Sequence, residues 1–175
     1  SQRAEARASA SATASPTPAG PYVWKEIPEP ILPPEAQAQA GFAEAELAAK
    51  YFVELELYVR QTNDIETWQK VIHPESSGGK NVVDRALKRQ EKGIRLAYEG
   101  LSVDVLESGV AVESENNYRV YLTLSANREY SVNVEGGVVS DNGEISYFAT
   151  VFIEHVDGRW RLINSGYDTH RPEEL

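Results

Sequence analysis

The 175-residue chain contains neither cysteine nor methionine. Without cysteine there are no disulfides, no thiolate metal sites and no cysteine nucleophile, and the redox compartment is left open. Methionine is missing even at position 1, so the chain reads as one that begins after a cleavage. Basic residues are the minority: 17 Lys and Arg stand against 27 Asp and Glu, a formal net charge of −10. A chain of that sign repels phosphate backbones and anionic lipid surfaces, which argues against nucleic acid and direct membrane binding. No apolar run approaches the roughly 20 residues that a membrane helix needs. The only histidines, His73, His155 and His170, are not at ligand spacing, and no Asp-x-Asp-x-Asp-Gly calcium loop occurs, so neither a metal nor a cofactor is expected. Ser76-Ser77-Gly78-Gly79-Lys80 comes nearest to a phosphate loop. Pro74 occupies the place of the first glycine and Asn81 that of the magnesium-binding hydroxyl, so the stretch reads as a plain loop.

What is present falls into four parts. Residues 1–20 are dominated by Ala, Ser, Thr and Pro, which offer too little apolar surface to offset the entropy of ordering; they read as a disordered tether. Residues 21–34 combine five prolines with Tyr22, Val23, Trp24, Ile27, Ile31 and Leu32, an extended arm expected to lie on the domain surface. Residues 35–169 read as one domain, long enough for a core. Residues 170–175 form a polar tail.

The domain opens with a long amphipathic helix over Glu35 to Thr62, carrying Phe42, Ala45, Ala48, Ala49, Phe52, Val53, Leu55 and Val59 on one face. Glu56 interrupts that face. Asn63 with Glu66 predicts a capping box that starts a second, short helix ended by His73-Pro74. A third runs from about Lys80 to Lys92 with Val83, Ala86 and Leu87 inward, and Gly93 closes it. From Ile94 the period changes to two. Strands are expected at Ile94–Tyr98, Leu101–Val112 with a bulge at Gly109, Tyr118–Ala126, Tyr130–Val139, Glu144–Val156 and Arg159–Tyr167. Turns are expected at Ser140-Asp141-Asn142-Gly143 and Asp157-Gly158. Helices followed by a meander make an α+β class: three N-terminal helices packed on a curved, mostly antiparallel sheet.

The fragments Pro33-Pro34-Glu35-Ala36, Tyr51-Phe52-Val53-Glu54 with Tyr58, Asn63-Asp64, His73-Pro74-Glu75 and Asp157-Gly158-Arg159-Trp160 resemble the nuclear-transport-factor-2-like superfamily, a cone-shaped fold shared with ketosteroid isomerase. Within it the chain looks like an uncharacterised family of actinobacterial cell-surface lipoproteins. That resemblance implies an extracytoplasmic module, with a lipid anchor before Ser1 as its sole membrane attachment. It also implies a Cys-x-x-Cys pair where this chain has Ser76 and Gly79.

Eight residues are candidates to line a cone pocket: Tyr51, Glu56, Tyr58, Trp68, Tyr121, Tyr147, His155 and Trp160. The aromatics equally suit a core with hydroxyls at its rim. Glu56 is the sharpest, because burial raises a carboxyl pKa towards the range of a working base; otherwise it snorkels out or pairs with Arg60 one turn on. No catalytic constellation is assembled. The chain therefore reads as a non-catalytic interaction or ligand-binding module, whose partner is a protein or a small apolar ligand. The alternative is a small-molecule enzyme or carrier with Glu56 or His155 as base. Self-association through the sheet, as a homodimer, is the third reading.

Overall fold

A computed structural model describes residues 24–111 and 116–171. The expected tether and the first residues of the arm lie outside these, as do residues 172–175 of the tail. Helices α1 (Pro34–Ala38), α2 (Phe42–Thr62), α3 (Ile65–Gln69) and α4 (Ser77–Lys92) precede strands β1 (Ile94–Glu99), β2 (Ser102–Val110), β3 (Asn117–Asn133), β4 (Val138–Val156) and β5 (Arg159–Asp168). The helices pack against one antiparallel sheet, in which β3 and β4 are central and β5 lies beside β4. Strands β1 and β2 share the other side of β3: β2 pairs with its first half, from Tyr118 to Ser125, and β1 with its second, from Arg128 to Asn133.

The long helix expected over residues 35–62 is two helices. Gln39 is extended (φ −160°, ψ 167°) and ends α1, and α2 starts afresh after Gly41. This break leaves Phe42 in the first turn of α2, where it is 51% exposed and meets the Tyr118 ring edge-on. From Ala45 on, the predicted apolar face is buried, and Leu57 is buried as well. Leu57 belongs to the core cluster and also lines a groove with Ile27, Pro28 and Pro30 of the arm. Trp24 fixes the arm's other end, donating its indole N–H to Asn133 O (3.2 Å) and stacking under the Arg95 guanidinium.

Asn63 does not cap α3. It takes the left-handed position that closes α2 (φ 60°), and its side chain is committed elsewhere, donating to Ile94 O and accepting from Arg89 Nε. Asp64 is the cap, accepting from the backbone N–H and the hydroxyl of Thr67. Helix α4 begins three residues before the expected Lys80, because the Ser76 hydroxyl accepts from Gly79 N and turns the supposed loop into a first turn. Gly78 suits that turn for steric reasons. A Cβ there would lie 2.9 Å from the carbonyl oxygen of Ser165 on β5. The buried stripe of α4 is Gly79, Val82 and Ala86, so Leu87, expected inside, is 49% exposed.

In the sheet, the strand expected at 118–126 and the first part of that expected at 130–139 are one strand, β3, with irregular pairing to β4 between Ala126 and Tyr130, while Val138 and Val139 already belong to β4. The chain reverses at Val134–Gly137, where Asn133 Oδ1 accepts from the N–H groups of Glu135 and Gly137. The expected turn at 140–143 is absorbed into β4. Its local chemistry survives as a bond from Gly143 N to Asp141 Oδ1 beside a register shift. The bulge of β2 falls at Leu106, between Val105 and Glu107, rather than at Gly109. Asp157 (φ 54°) and Gly158 (φ 73°) make the predicted two-residue hairpin, both in the left-handed region. The inner face of the sheet, with Val120, Leu122, Leu124, Ala149, Val151, Ile153 and Leu162, packs on Phe52, Leu55, Val59 and Trp68. Phe148 and Phe152, on the opposite face, are half-buried.

Candidate binding cleft

Helix α2, helix α4 and the end of β5 enclose a cavity of about 290 Å³. Three chain segments with different local chemistry build its walls. From α2 come Glu56 and Arg60, one turn apart. From α4 come Gly78, Asn81, Val82, Arg85 and Arg89, a single stripe at helical spacing. From β5 come Ser165, Gly166 and Tyr167. Asn164, just before them, ties β5 to the start of α4 by accepting from Gly78 N at 2.9 Å. Deeper than Glu56 the interior is packed: around Phe52, Trp68, Val151 and Leu162 no space for a water remains.

Glu56 is 3% exposed and forms an ion pair with Arg60. Of the two structural expectations for this residue, the pair forms and snorkelling does not. Arg60 is also 3.8 Å from Glu129 and 3.4 Å from the Tyr98 hydroxyl. Burial opposes the Arg60 charge, but Glu56 and the neighbouring hydroxyls outweigh it, and the guanidinium pKa lies above its usual value. Tyr167, whose ring lies under the Arg60 guanidinium, is half-buried. Burial first, and then the negative charge and hydrogen bond of Glu56, push its hydroxyl well above the ordinary tyrosine range. Tyr98 is raised in the same way, by burial, with Arg60 opposing and Glu129 adding to the shift. The cluster is thus a hydrogen-bonded network in which each carboxylate faces a cation or a protonated phenol. Asn142 completes it, donating to Glu129 at 2.7 Å.

The cavity's other cations are less satisfied. Arg89 donates its Nε to Asn63 Oδ1 at 2.8 Å, while its Nη2 is buried with no acceptor. Burial, and then the positive charge of Arg60, lower the Arg89 pKa, with Arg85 adding to the effect. Neither Arg85 nor Arg89 forms an ion pair among the described residues.

Of the eight residues predicted to share a pocket, Glu56 is the one found in this cavity. Tyr58 borders a separate, larger groove of about 460 Å³ between the arm, α2 and the start of β2. Its hydroxyl donates to Asp64. Trp68 and Trp160 are core residues with satisfied indoles, bonded to Gly79 O (3.0 Å) and Ala36 O (2.7 Å). His155 packs against the Trp160 ring at 4.8 Å, at the far end of β4. Tyr51 leans on Phe52, and Tyr147 is half-buried against the core. Tyr121 faces the other side of the sheet, under Arg119. The reading from sequence missed Asn81, Arg85 and Arg89. Their signal was the spacing Gly78, Asn81, Arg85, Arg89 on one face of α4. Among the described residues there is no group of three or more His, Cys, Asp or Glu side chains placed to hold a metal ion.

No curated protein matches the chain. Among solved structures, it is similar to the intermembrane space region of the chloroplast protein ARC6 (14% identity, TM-score 0.59, 74% of this chain and 97% of that one). It is also similar to a ketosteroid isomerase-like protein from Erwinia carotovora atroseptica (13%, 0.47, 75% and 100%). A third is an NTF2-like protein of unknown function in nutrient uptake from Rhodospirillum rubrum (10%, 0.43, 67% and 93%). At these identities the likeness is one of fold: the chain is an α+β protein whose structural neighbours have cystatin-like and NTF2-like folds. The model of a family of unknown function, DUF6318, matches residues 12–166, and the chain belongs to that family.

Proposed function

We propose that the protein is a non-catalytic ligand-binding module whose site is the cavity between α2, α4 and β5. The observation that carries this reading is the state of Glu56. A general base needs a carboxylate free to take a proton from a substrate in the cavity. Glu56 is instead held by Arg60, in an ion pair one turn apart on α2. His155, the other candidate base, does not line the cavity at all. What remains is a small concavity with several polar groups on its walls, the arrangement of a binding site. At about 30 Å³ per water, its volume is worth about ten waters, which suits a small metabolite.

The test is a thermal-shift screen of small metabolites against the parent and Asn81→Trp. Asn81 is exposed at the cavity wall, so the indole blocks the site without entering the core. A compound should raise the melting temperature of the parent and lose that effect in the variant, with the unliganded temperatures equal. Equal shifts in both proteins, or none with any compound, would overturn the reading. Turnover of a bound compound that disappears in Glu56→Gln would replace it with the enzyme alternative.

We further propose that the module works outside the cytoplasm on a lipid tether. The support is the Ala/Ser/Thr/Pro composition of residues 1–20, which suits a spacer, and the resemblance to surface lipoproteins. Labelling cells that express the natural precursor with a radioactive fatty acid tests it. Label in this protein and its recovery with membranes are expected; an unlabelled cytoplasmic protein would refute it.

A further inference from the structure

We propose that the ligand of this cavity is a small oxyanion, a carboxylate or phosphate compound gripped by the guanidinium groups of Arg85 and Arg89. The proposal rests on the binding-module reading and names the chemical class that the site selects.

Charge is the first argument. The cavity walls carry Arg60, Arg85 and Arg89 against the single carboxylate of Glu56, in a chain whose net charge is −10. Asp84 and Glu91 share helix α4 with two of these arginines, yet neither lines the cavity. Arg60 is spoken for by Glu56 and Glu129. Arg85 and Arg89 are therefore left as two like charges one turn apart on one helix, an arrangement that destabilises a helix unless a counter-charge lies between them.

The second argument is an orphaned donor. Arg89 is aimed, because Asn63, itself fixed by its bond to Ile94 O, holds its Nε. That contact leaves Nη2 buried without an acceptor. Buried polar groups in folded proteins are nearly always paired, and an unpaired one calls for an explanation. A small turn of the guanidinium, whose residue lines the cavity, brings that donor to a ligand oxygen. A guanidinium presents parallel N–H donors that match the two oxygens of a carboxylate or phosphate, and a neutral ligand leaves both charges uncompensated. The N-terminal turn of α4 is not the recognition element, since Gly78 N and Gly79 N already donate to Asn164 and Ser76. Asn81 and Ser165, on opposite walls, are free to contact the neutral part of the molecule.

Isothermal titration of the full chain with inorganic phosphate and, separately, succinate tests this. The parent should bind at least one of them with a Kd below about 10 mM. Binding of phosphate alone identifies a phosphoryl source, and binding of succinate alone a carboxylate source. Arg85→Gln/Arg89→Gln should weaken that binding by about tenfold or more, because both charge-assisted forks are lost. The single variant Arg85→Gln changes an exposed residue and does not lower the melting temperature, so its weaker binding reports the site even if the double variant folds poorly. Failure of both anions to bind, or equal affinity in the variants, overturns the assignment. If neutral compounds then give shifts that Asn81→Trp abolishes, the binding-module reading stands and only the anion is refuted; if nothing binds, both fall.

Discussion

Removing Glu56 isolates the energetics of the buried network. In Glu56→Leu the side chain becomes apolar and fits the face that already holds Phe52 and Val59, so packing changes little. What changes is Arg60, whose side chain is 17% exposed and which loses its partner one turn back. Breaking a buried pair from one side costs about 3–5 kcal/mol, since the other charge is left uncompensated. Arg60 keeps Glu129 at 3.8 Å and Tyr98 at 3.4 Å, which places the expected cost at the lower end, about 3 kcal/mol. For a chain of this length, about 2–4 °C of melting temperature per kcal/mol makes the drop roughly 6–12 °C. The double variant Glu56→Leu/Arg60→Met should recover most of the loss, because an apolar pair of similar volume is about as stable as a buried ion pair. Urea denaturation of the four proteins in the cycle gives the coupling energy directly. A Glu56→Leu protein as stable as the parent would show that the carboxylate contributes nothing to holding Arg60, and the account of the network would fail.

Three further perturbations follow from single contacts. Trp160→Ala should cost about 3–5 kcal/mol by chemical denaturation, since it empties a buried site and strands the Ala36 carbonyl that the indole serves; an unchanged midpoint would refute its core position. Asp64→Ala should cost about 1 kcal/mol at pH 7 through loss of the α3 cap. Burial opposes the Asp64 charge, but bonds from Thr67 and Tyr58 outweigh it and hold the folded pKa below 3.8, so the stabilisation is present above that pH and fades as pH falls through the folded value. The gap between parent and variant should therefore narrow as pH falls below the reference carboxyl value, and a constant gap would refute the cause. Gly78→Ala should destabilise the contact of α4 with β5, because its methyl meets the Ser165 carbonyl; a melting temperature equal to the parent's would show that the two elements separate freely.

The architecture was legible because its signals are local. Period-two alternation located β1 to β5, and the residues that alternate inward in Val120–Leu124 and Ala149–Ile153 are those buried. The errors arose where two local signals competed for one residue. Asn63 suits a helix N-cap and equally a left-handed C-cap, and a tertiary bond to Ile94, 31 residues on, decides for the second. Asp141-Asn142-Gly143 carries turn chemistry and expresses it, but as an irregularity within β4, because Asn133-x-x-Gly136 reverses the chain first. Ser76 sits in a polar, glycine-rich stretch that reads as a loop, yet its hydroxyl caps α4 by accepting from Gly79 N.

The candidate site was legible at one residue, Glu56, for a reason that also explains why the rest was not. Glu56 violates the apolar pattern of its own helix, so it can be noticed without knowing the fold. Arg85 and Arg89 violate nothing. On an isolated α4 they continue a polar surface, and their stripe becomes a cavity wall only because Val82 and Ala86, on the same side, dock against the core. Arg60 is 25 residues before Arg85 in sequence, and only the turn through Asn63 and α3 brings the two helices face to face. Asn63 therefore has two roles in one conformation. Its left-handed backbone ends α2, and its side chain fixes the Arg89 guanidinium beside the cavity. Closing a helix and aiming a ligand-facing cation are properties of a single residue here, so the site's geometry is set by the same contact that sets the packing of α2 against α4.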